Sequence, residues 1–275
     1  MLVRKQLIIL MIFTLLIGSS VFAQNRTVVT LGGSWWNAAY TYEDEDGEEL
    51  AEIGNGNSFG PYISINHGKI NFGASLLFGT FPVDAYNLGL EVFDIELKDV
   101  NMSRNDLNFT LGYRVHRNIN LFVGGKYLKW AINMDMNVPV ETGEYDFWGN
   151  PITQNIDMSG EWSEGGMIYG FGVSAVLPLG TGGMYAFGSL AGMAGTLTNE
   201  ITVEGMGISE TSDEGDVSAS LAAINLGLGY RFPSGLGINA GYRADLFTEE
   251  LEDSEEDSQP RIRVQGLIVT ASYSF

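Results

Sequence analysis

Apolar and polar residues alternate along most of the chain, in runs separated by turn-forming or strongly polar segments. A period of two is typical of β-strands whose two faces lie in different surroundings. It predicts ten strands, with eight or twelve as the alternatives, near 27–42, 58–66, 70–81, 92–115, 119–133, 163–177, 184–196, 219–232, 236–247 and 261–275. After the first 23 residues no run of 18 is continuously apolar, so we expect no membrane-spanning helix.

The last predicted strand has the clearest pattern. One face carries Leu267, Val269, Ala271, Tyr273 and Phe275, and the other carries Ile268, Thr270, Ser272 and Ser274. A strand that closes a transmembrane barrel turns one face to lipid, which explains a terminal Phe. This ending resembles the C-terminal signature of bacterial outer-membrane β-barrel proteins. The resemblance implies that Tyr273 and Phe275 are the signal read by the barrel-assembly machinery.

The first 23 residues are typical of a secretory signal peptide. Arg4 and Lys5 precede an apolar run of eleven residues, 7–17, and small residues follow at 21–23. The run is too short to span a bilayer, although a retained N-terminal anchor is the alternative. Residues 24–275 would then form one domain.

The other strands repeat the two-faced pattern. Leu107, Phe109, Leu111, Tyr113 and Val115 alternate with the more polar Asp106, Asn108, Thr110, Gly112 and Arg114. A soluble sandwich could share this alternation, but the signal peptide and Phe275 favour an all-β, closed antiparallel up-and-down transmembrane β-barrel. The run 106–130 resembles small outer-membrane β-barrel domains of the porin-like superfamily, which implies this fold and a membrane location and no particular cargo.

Short and long connections alternate between the predicted strands. The short ones are 66–69, 116–118, 179–183 and 233–235, and the long ones are 43–57, 82–91, 134–162, 197–218 and 248–260. Outer-membrane barrels have short periplasmic turns and long extracellular loops. We therefore expect an outer-membrane location with the C-terminus facing the periplasm and the five long connections outside.

Composition narrows the classes of partner. The chain has a net charge of −20, and removal of Arg4 and Lys5 leaves −22, which argues against nucleic acid. Cysteine is absent, which excludes thiol catalysis and disulfides. Two acidic runs, 43–49 and 249–257, are either solvated loops or sites for divalent cations that bridge to lipopolysaccharide. The first run does not match a calcium-binding EF-hand loop, and no cofactor or defined metal site is expected.

Five charged residues have the parity of lumen-facing positions: Arg104, Asp106, Lys126, Arg243 and Asp245. Counting from the turns puts Lys126, Arg243 and Asp245 near mid-height, with Arg104 and Asp106 higher. They would either line a constriction that selects solutes or pair with one another to fill the lumen. Eight strands already give a filled interior, so ten strands favour the filled lumen.

No catalytic constellation accompanies this architecture. Ten-stranded omptin proteases resemble the chain in strand number and use extracellular Asp and His residues, but His67 and His116 lie in predicted periplasmic turns. We therefore expect no enzyme. The favoured function is a structural or surface-interaction barrel with acidic extracellular loops, and the alternatives are a narrow porin-like channel and an outer-membrane hydrolase. Lipid and lipopolysaccharide are the expected surroundings, and the sequence identifies no extracellular partner.

Overall fold

The computed structural model describes residues 27–43, 49–83, 96–145, 151–205, 208–250 and 261–275. The predicted signal peptide lies outside these ranges. In the part that is described, no helix is long and apolar enough to cross a membrane. Ten strands are present: β1 Thr27–Glu43, β2 Glu49–His67, β3 Ile70–Pro82, β4 Glu96–His116, β5 Ile119–Tyr145, β6 Pro151–Pro178, β7 Met184–Gly205, β8 Ile208–Arg231, β9 Leu236–Glu250 and β10 Arg261–Ser274.

The ten strands form one closed antiparallel barrel in which each strand pairs with its sequence neighbours. The seam joins β1 to β10, in a register that runs from Thr30 opposite Ser274 to Glu43 opposite Arg261. In the described part of the barrel that crosses the lipid, closure leaves no free strand edge, which is the condition for a sheet to cross a bilayer. The predicted all-β, up-and-down barrel with ten strands is confirmed.

The four predicted short turns are also confirmed, and all lie at one end of the barrel, here called the turn end. Gly68 and Gly235 sit in two of these turns with φ of 58° and 93°, a left-handed conformation that favours glycine. The chain terminus lies at the same end, where the Phe275 amide donates to the Val29 carbonyl at 2.8 Å. We call the opposite end the loop end.

An apolar belt surrounds the outside of the barrel next to the turn end. It covers about nine residues per strand, as in 119–127 of β5 and 169–177 of β6, and includes Phe171, which is 73% exposed. With about 3.3 Å per residue and a tilt near 40°, the belt is roughly 20–23 Å tall, close to the ~25 Å apolar band of membrane barrels. A soluble protein would not expose such a band, so the belt is the lipid-facing surface.

Several strands are longer than predicted, so parts of the expected long loops are wrong. β5 and β6 extend to Tyr145 and back from Pro151, β2 begins at Glu49, and β7 and β8 reach Gly205 and Ile208. Beyond the lipid the outward face is polar, and Asn, Asp and Gly interrupt the apolar alternation that marks a strand. Backbone hydrogen bonds still pair these segments, and we call the part of β5–β8 beyond the belt the projecting sheet.

The hydrophobic core lies inside the barrel, in its loop-end half. Every core residue has inward parity, 7 to 14 residues from the turn end. Tyr40 packs edge-on to Phe81 with ring centroids 4.7 Å apart, and Trp130 packs likewise on Phe247 at 5.5 Å. The largest fully buried apolar members are Trp36, Tyr40, Phe81, Leu128, Ile168, Leu197, Phe247 and Val264. This half of the lumen is therefore filled by side chains.

Candidate functional site in the lumen

All five charged residues predicted to face the lumen meet at the base of this core. Arg104 and Asp106 project from β4, Lys126 from β5, and Arg243 and Asp245 from β9. The strands β4 and β9 are five positions apart around the ten-stranded barrel, and therefore on opposite sides. We call the five residues the charge network, and it bridges the lumen from wall to wall.

Asp245 is the acceptor on which three cations converge. Its carboxylate lies 2.9 Å from Lys126 Nζ, 3.1 Å from Arg104 Nη2 and 2.7 Å from Arg243 Nη2. Arg243 Nε donates a further bond to it at 3.0 Å. One carboxylate on β9 thus fixes the positions of side chains from three strands.

Asp106 is the second acceptor. It receives two bonds from Arg104, from Nε at 2.8 Å and from Nη2 at 2.9 Å, and lies 3.1 Å from Lys126 Nζ. Arg243 Nη2 is more distant at 3.7 Å. The remaining Arg104 nitrogen, Nη1, donates to the Tyr40 hydroxyl at 2.6 Å. A forked guanidinium suits this set because its donors point in fixed directions.

Four members of the network are almost completely removed from solvent: Arg104, Asp106, Lys126 and Asp245 are at most 2% exposed. Three cations face two carboxylates, so the network carries one surplus positive charge. Aromatic faces surround that charge: the Arg243 guanidinium carbon lies 4.4 Å from the Trp36 ring centre and Lys126 Nζ lies 5.5 Å from that of Phe247. Cation–π contacts of this kind are strongest where water is excluded.

The register of β4 with β5 puts Arg104 and Asp106 opposite Trp130 and Leu128, four and two residues further from the turn end than Lys126. Arg104 and Asp106 were predicted to lie higher than Lys126, Arg243 and Asp245, and Arg104 nevertheless contacts Asp245 directly. Strands in a barrel are tilted and staggered, so residue counts from different turns do not measure a common height. The long arginine side chain also reaches towards the turn end.

Sequence reasoning missed the pairing of two acidic side chains, Glu164 on β6 and Glu249 on β9, because it placed Glu249 in the second acidic run beyond the strand. The belt ends at Tyr169 and Tyr242 on these strands, so both carboxyl groups lie beyond the membrane-spanning part. Glu164 is 2% exposed, and it bonds to Glu249 and to Trp130. Burial, and then the neighbouring Glu249, raise the pKa of Glu164 to about 8, so the pair holds a shared proton near neutral pH. The inward parity of Glu164 was the signal that could have found it.

The remaining predicted residues lie away from the network. Tyr273 and Phe275 face outward at the turn end with ring centroids 4.9 Å apart, and both are exposed in the belt. His67 and His116 end β2 and β4 at the turn end, with His67 Nδ1 lying 2.9 Å from the Thr27 hydroxyl.

The acidic runs fall mainly at 44–48 and 251–257, outside the residues that the structure describes. Within the described part of the chain, no group of three acidic, His or Cys side chains has the arrangement to hold a metal ion. Glu43, at the edge of the first run, forms an ion pair with Arg263 across the β1–β10 seam.

A closed ten-stranded sheet, an exposed apolar belt and charges turned into the lumen define a small outer-membrane β-barrel protein. No protein-family model matches the sequence, and no curated protein matches it. Solved structures match in fold across nearly the whole chain. The outer membrane protease OmpT from Escherichia coli has 11% identity and a TM-score of 0.50, covering 92% of this chain and 97% of that one.

Two further solved structures are similar at lower TM-scores. The translocator domain of the autotransporter NalP from Neisseria meningitidis has 13% identity and a TM-score of 0.44, covering 94% of this chain and 92% of that one. Ail, the attachment invasion locus protein of Yersinia pestis, has 11% identity and a TM-score of 0.35, covering 90% of this chain and 99% of that one. At these identities the similarity concerns the fold, which hosts many functions.

Proposed function

We propose that this protein is an integral outer-membrane barrel that is closed to solutes and has a structural or surface-interaction role, without enzymatic activity. Its turn end and C-terminus face the periplasm, and the projecting sheet faces the cell exterior. The observation that carries the proposal is the buried charge network beneath the apolar core. A channel needs hydrated groups along its whole length. In this lumen the charge network and the core residues above it are buried away from solvent.

The seal has two layers. At its base, Asp245 is 0% exposed and bonded to three cations. Above it, Trp36 and Phe247 are 0% and 1% exposed and occupy the lumen. A passing ion would have to separate charges 2.7–3.1 Å apart in surroundings without water, where the desolvation cost is several kcal/mol per ion.

The projecting sheet supports a role at the cell surface. Its outward face carries exposed acids on neighbouring strands, Asp135 on β5, Asp157 on β6 and Glu204 on β7. Strands that continue beyond the lipid hold these groups on a paired backbone. We propose that this face and the acidic runs contact lipopolysaccharide through divalent cations, while Tyr273 and Phe275 engage the assembly machinery.

Electrical recording in planar bilayers tests closure. We expect no steady current from the native protein, because the charge network and the core above it close the lumen. A steady native current, with a cation preference that rises in Lys126→Gln and Arg243→Gln at unchanged stability, would establish the narrow channel instead. Lys129→Gln is the matched control, since Lys129 is an outward-facing lysine of the same strand as Lys126, 3.9 Å from Glu161.

Cysteine labelling tests the orientation without interference from native thiols, because the chain contains none. A cysteine at Asp157, in the projecting sheet, should react with an impermeant reagent on intact cells. A cysteine at Ser234, in a turn, should react only after the outer membrane is opened. Labelling of Ser234→Cys on intact cells would reverse the orientation.

A further inference from the structure

The turn-end half of the lumen is an open chamber, in contrast to the filled half above it. Its volume is about 1140 Å³, above the ~300–1,000 Å³ typical of small-molecule sites. Arg243 forms part of its ceiling and, at 14% side-chain exposure, is the most exposed member of the charge network. The short turns leave its mouth uncovered.

The side chains of the chamber wall are suited to binding the hydroxyl groups of a ligand. Seven asparagines line it, together with serine, threonine and tyrosine hydroxyls from strands around the barrel. Some of these groups bond to one another, as Asn108 does to Ser75 at 3.3 Å and Tyr185 does to Asn239. Asn225 Oδ1 is buried and has no partner among the described residues. Amides that both donate and accept are suited to sugar hydroxyls.

The charge of the chamber is opposite to that of the whole protein. Arg114, Arg117 and Arg231 line its mouth, and Asp245, already bonded to three cations, is the one acidic residue among the described residues that line it. The sequence reflects this polarity, since 27–42, 53–83, 107–134, 165–199, 217–244 and 258–275 contain no Asp or Glu in a chain of net charge −20. Among the described residues at the turn end, the charged side chains are cationic.

These arginines are not positioned as lipid anchors. Arg114 and Arg231 have inward parity on β4 and β8 and line the chamber. Lys69 occupies the same end of the barrel but lies outside it, with Nζ 5.7 Å from the centre of the belt residue Tyr113. Lys69 is therefore the group placed to meet lipid phosphate, and the arginines face the lumen.

We propose that the turn-end chamber is a binding site for a hydroxylated oxyanion, a sugar or polyol that bears a phosphate or a carboxylate. Guanidinium groups at the mouth and ceiling bind the oxyanion, because their forked donors match its oxygens. The asparagines and hydroxyls of the wall bind the hydroxyls of the sugar or polyol. With the proposed orientation the ligand enters from the periplasm, either as a free solute or as the headgroup of a lipid in the inner leaflet.

Calorimetric titration of the full-length mature barrel in a non-ionic detergent tests the site. The probes are glucose 6-phosphate, glucose, inorganic phosphate and dihexanoyl phosphatidylglycerol. We expect saturable binding of glucose 6-phosphate that is tighter than binding of glucose or phosphate alone. If dihexanoyl phosphatidylglycerol binds saturably and glucose 6-phosphate does not, the ligand is the headgroup of a lipid. Absence of saturable binding by either, or equal binding of glucose, would overturn the proposal.

Variants localise the binding. Arg114→Gln and Arg231→Gln should each weaken it about ten- to hundredfold, the effect of losing one hydrogen-bonded charge. Arg117 lies in a turn, so Arg117→Gln still tests the loss of binding if Arg114→Gln or Arg231→Gln fails to fold. Lys69→Gln is the matched control and should bind as the native protein does, whereas an equal loss there would reduce the effect to general electrostatics. Binding in detergent does not depend on closure or orientation, so its failure leaves the proposed function standing.

Discussion

Replacing Asp245 with asparagine should strongly destabilise the barrel. The change keeps the shape of the side chain but removes the charge that Arg104, Lys126 and Arg243 share. The network, with three cations and two carboxylates, would pass from one surplus positive charge to two. Because Asp245 is 0% exposed, no water replaces the lost carboxylate.

The expected loss is about 3–5 kcal/mol in the free energy of unfolding, the usual cost of removing one partner from a buried ion pair. Adding Lys126→Met restores the original surplus of one charge. The double variant should therefore lose less than the sum of the two single variants, with a coupling of about 0.5–3 kcal/mol. Lys129→Gln is the surface control, since Lys129 and Glu161 are 40% and 43% exposed and such pairs contribute about 0–1 kcal/mol.

Urea unfolding in lipid vesicles, followed by tryptophan fluorescence, measures these differences. Trp36 and Trp130 lie in the core above the network and report its loss. If Asp245→Asn costs within about 1 kcal/mol of the native protein, the charges are hydrated and screened. That result would refute both the burial of the charge network away from solvent and the closure of the lumen that depends on this burial.

Three further predictions concern other parts of the barrel. The folded protein keeps a proton on Glu164 that the unfolded chain loses, since its pKa rises from 4.5 to about 8, so stability should fall as pH rises through that window. Glu164→Gln should flatten this part of a pH series of unfolding curves, and an unchanged slope would contradict the raised pKa of Glu164. Gly266→Ala should lower the free energy of unfolding by about 1–3 kcal/mol, because a Cβ would overlap the Asn37 carbonyl at the β1–β10 seam. Gly192→Ala is the control, since the space around Gly192 is open, and it should melt like the native barrel. Equal melting temperatures for the two variants would refute the close contact at the seam. Deleting Phe275 should lower the amount of inserted barrel in fractionated membranes, and native insertion would dismiss the assembly signal.

The sequence by itself determined the strands that cross lipid and the faces that they present. In Leu107–Val115 every second residue must meet lipid while the residues between meet the lumen, and this local constraint is visible without any fold. The turns around Gly68 and Gly235 could also be predicted from local sequence, because turn-forming residues separate two alternating runs there. Parity also selected Arg104, Asp106, Lys126, Arg243 and Asp245 as lumen residues.

Only the tertiary structure decided what those residues meet. Arg104 and Asp245 are 141 positions apart, and their contact depends on barrel closure and stagger, which no local pattern encodes. The ends of β2 and of β5–β8 beyond the belt escaped prediction because water lies on their outward side and the apolar contrast fades, although backbone pairing continues. The division of the lumen depends on side-chain size at each level: Trp36, Trp130 and Phe247 fill the loop-end half, while Ser, Thr and Asn leave the turn-end half open.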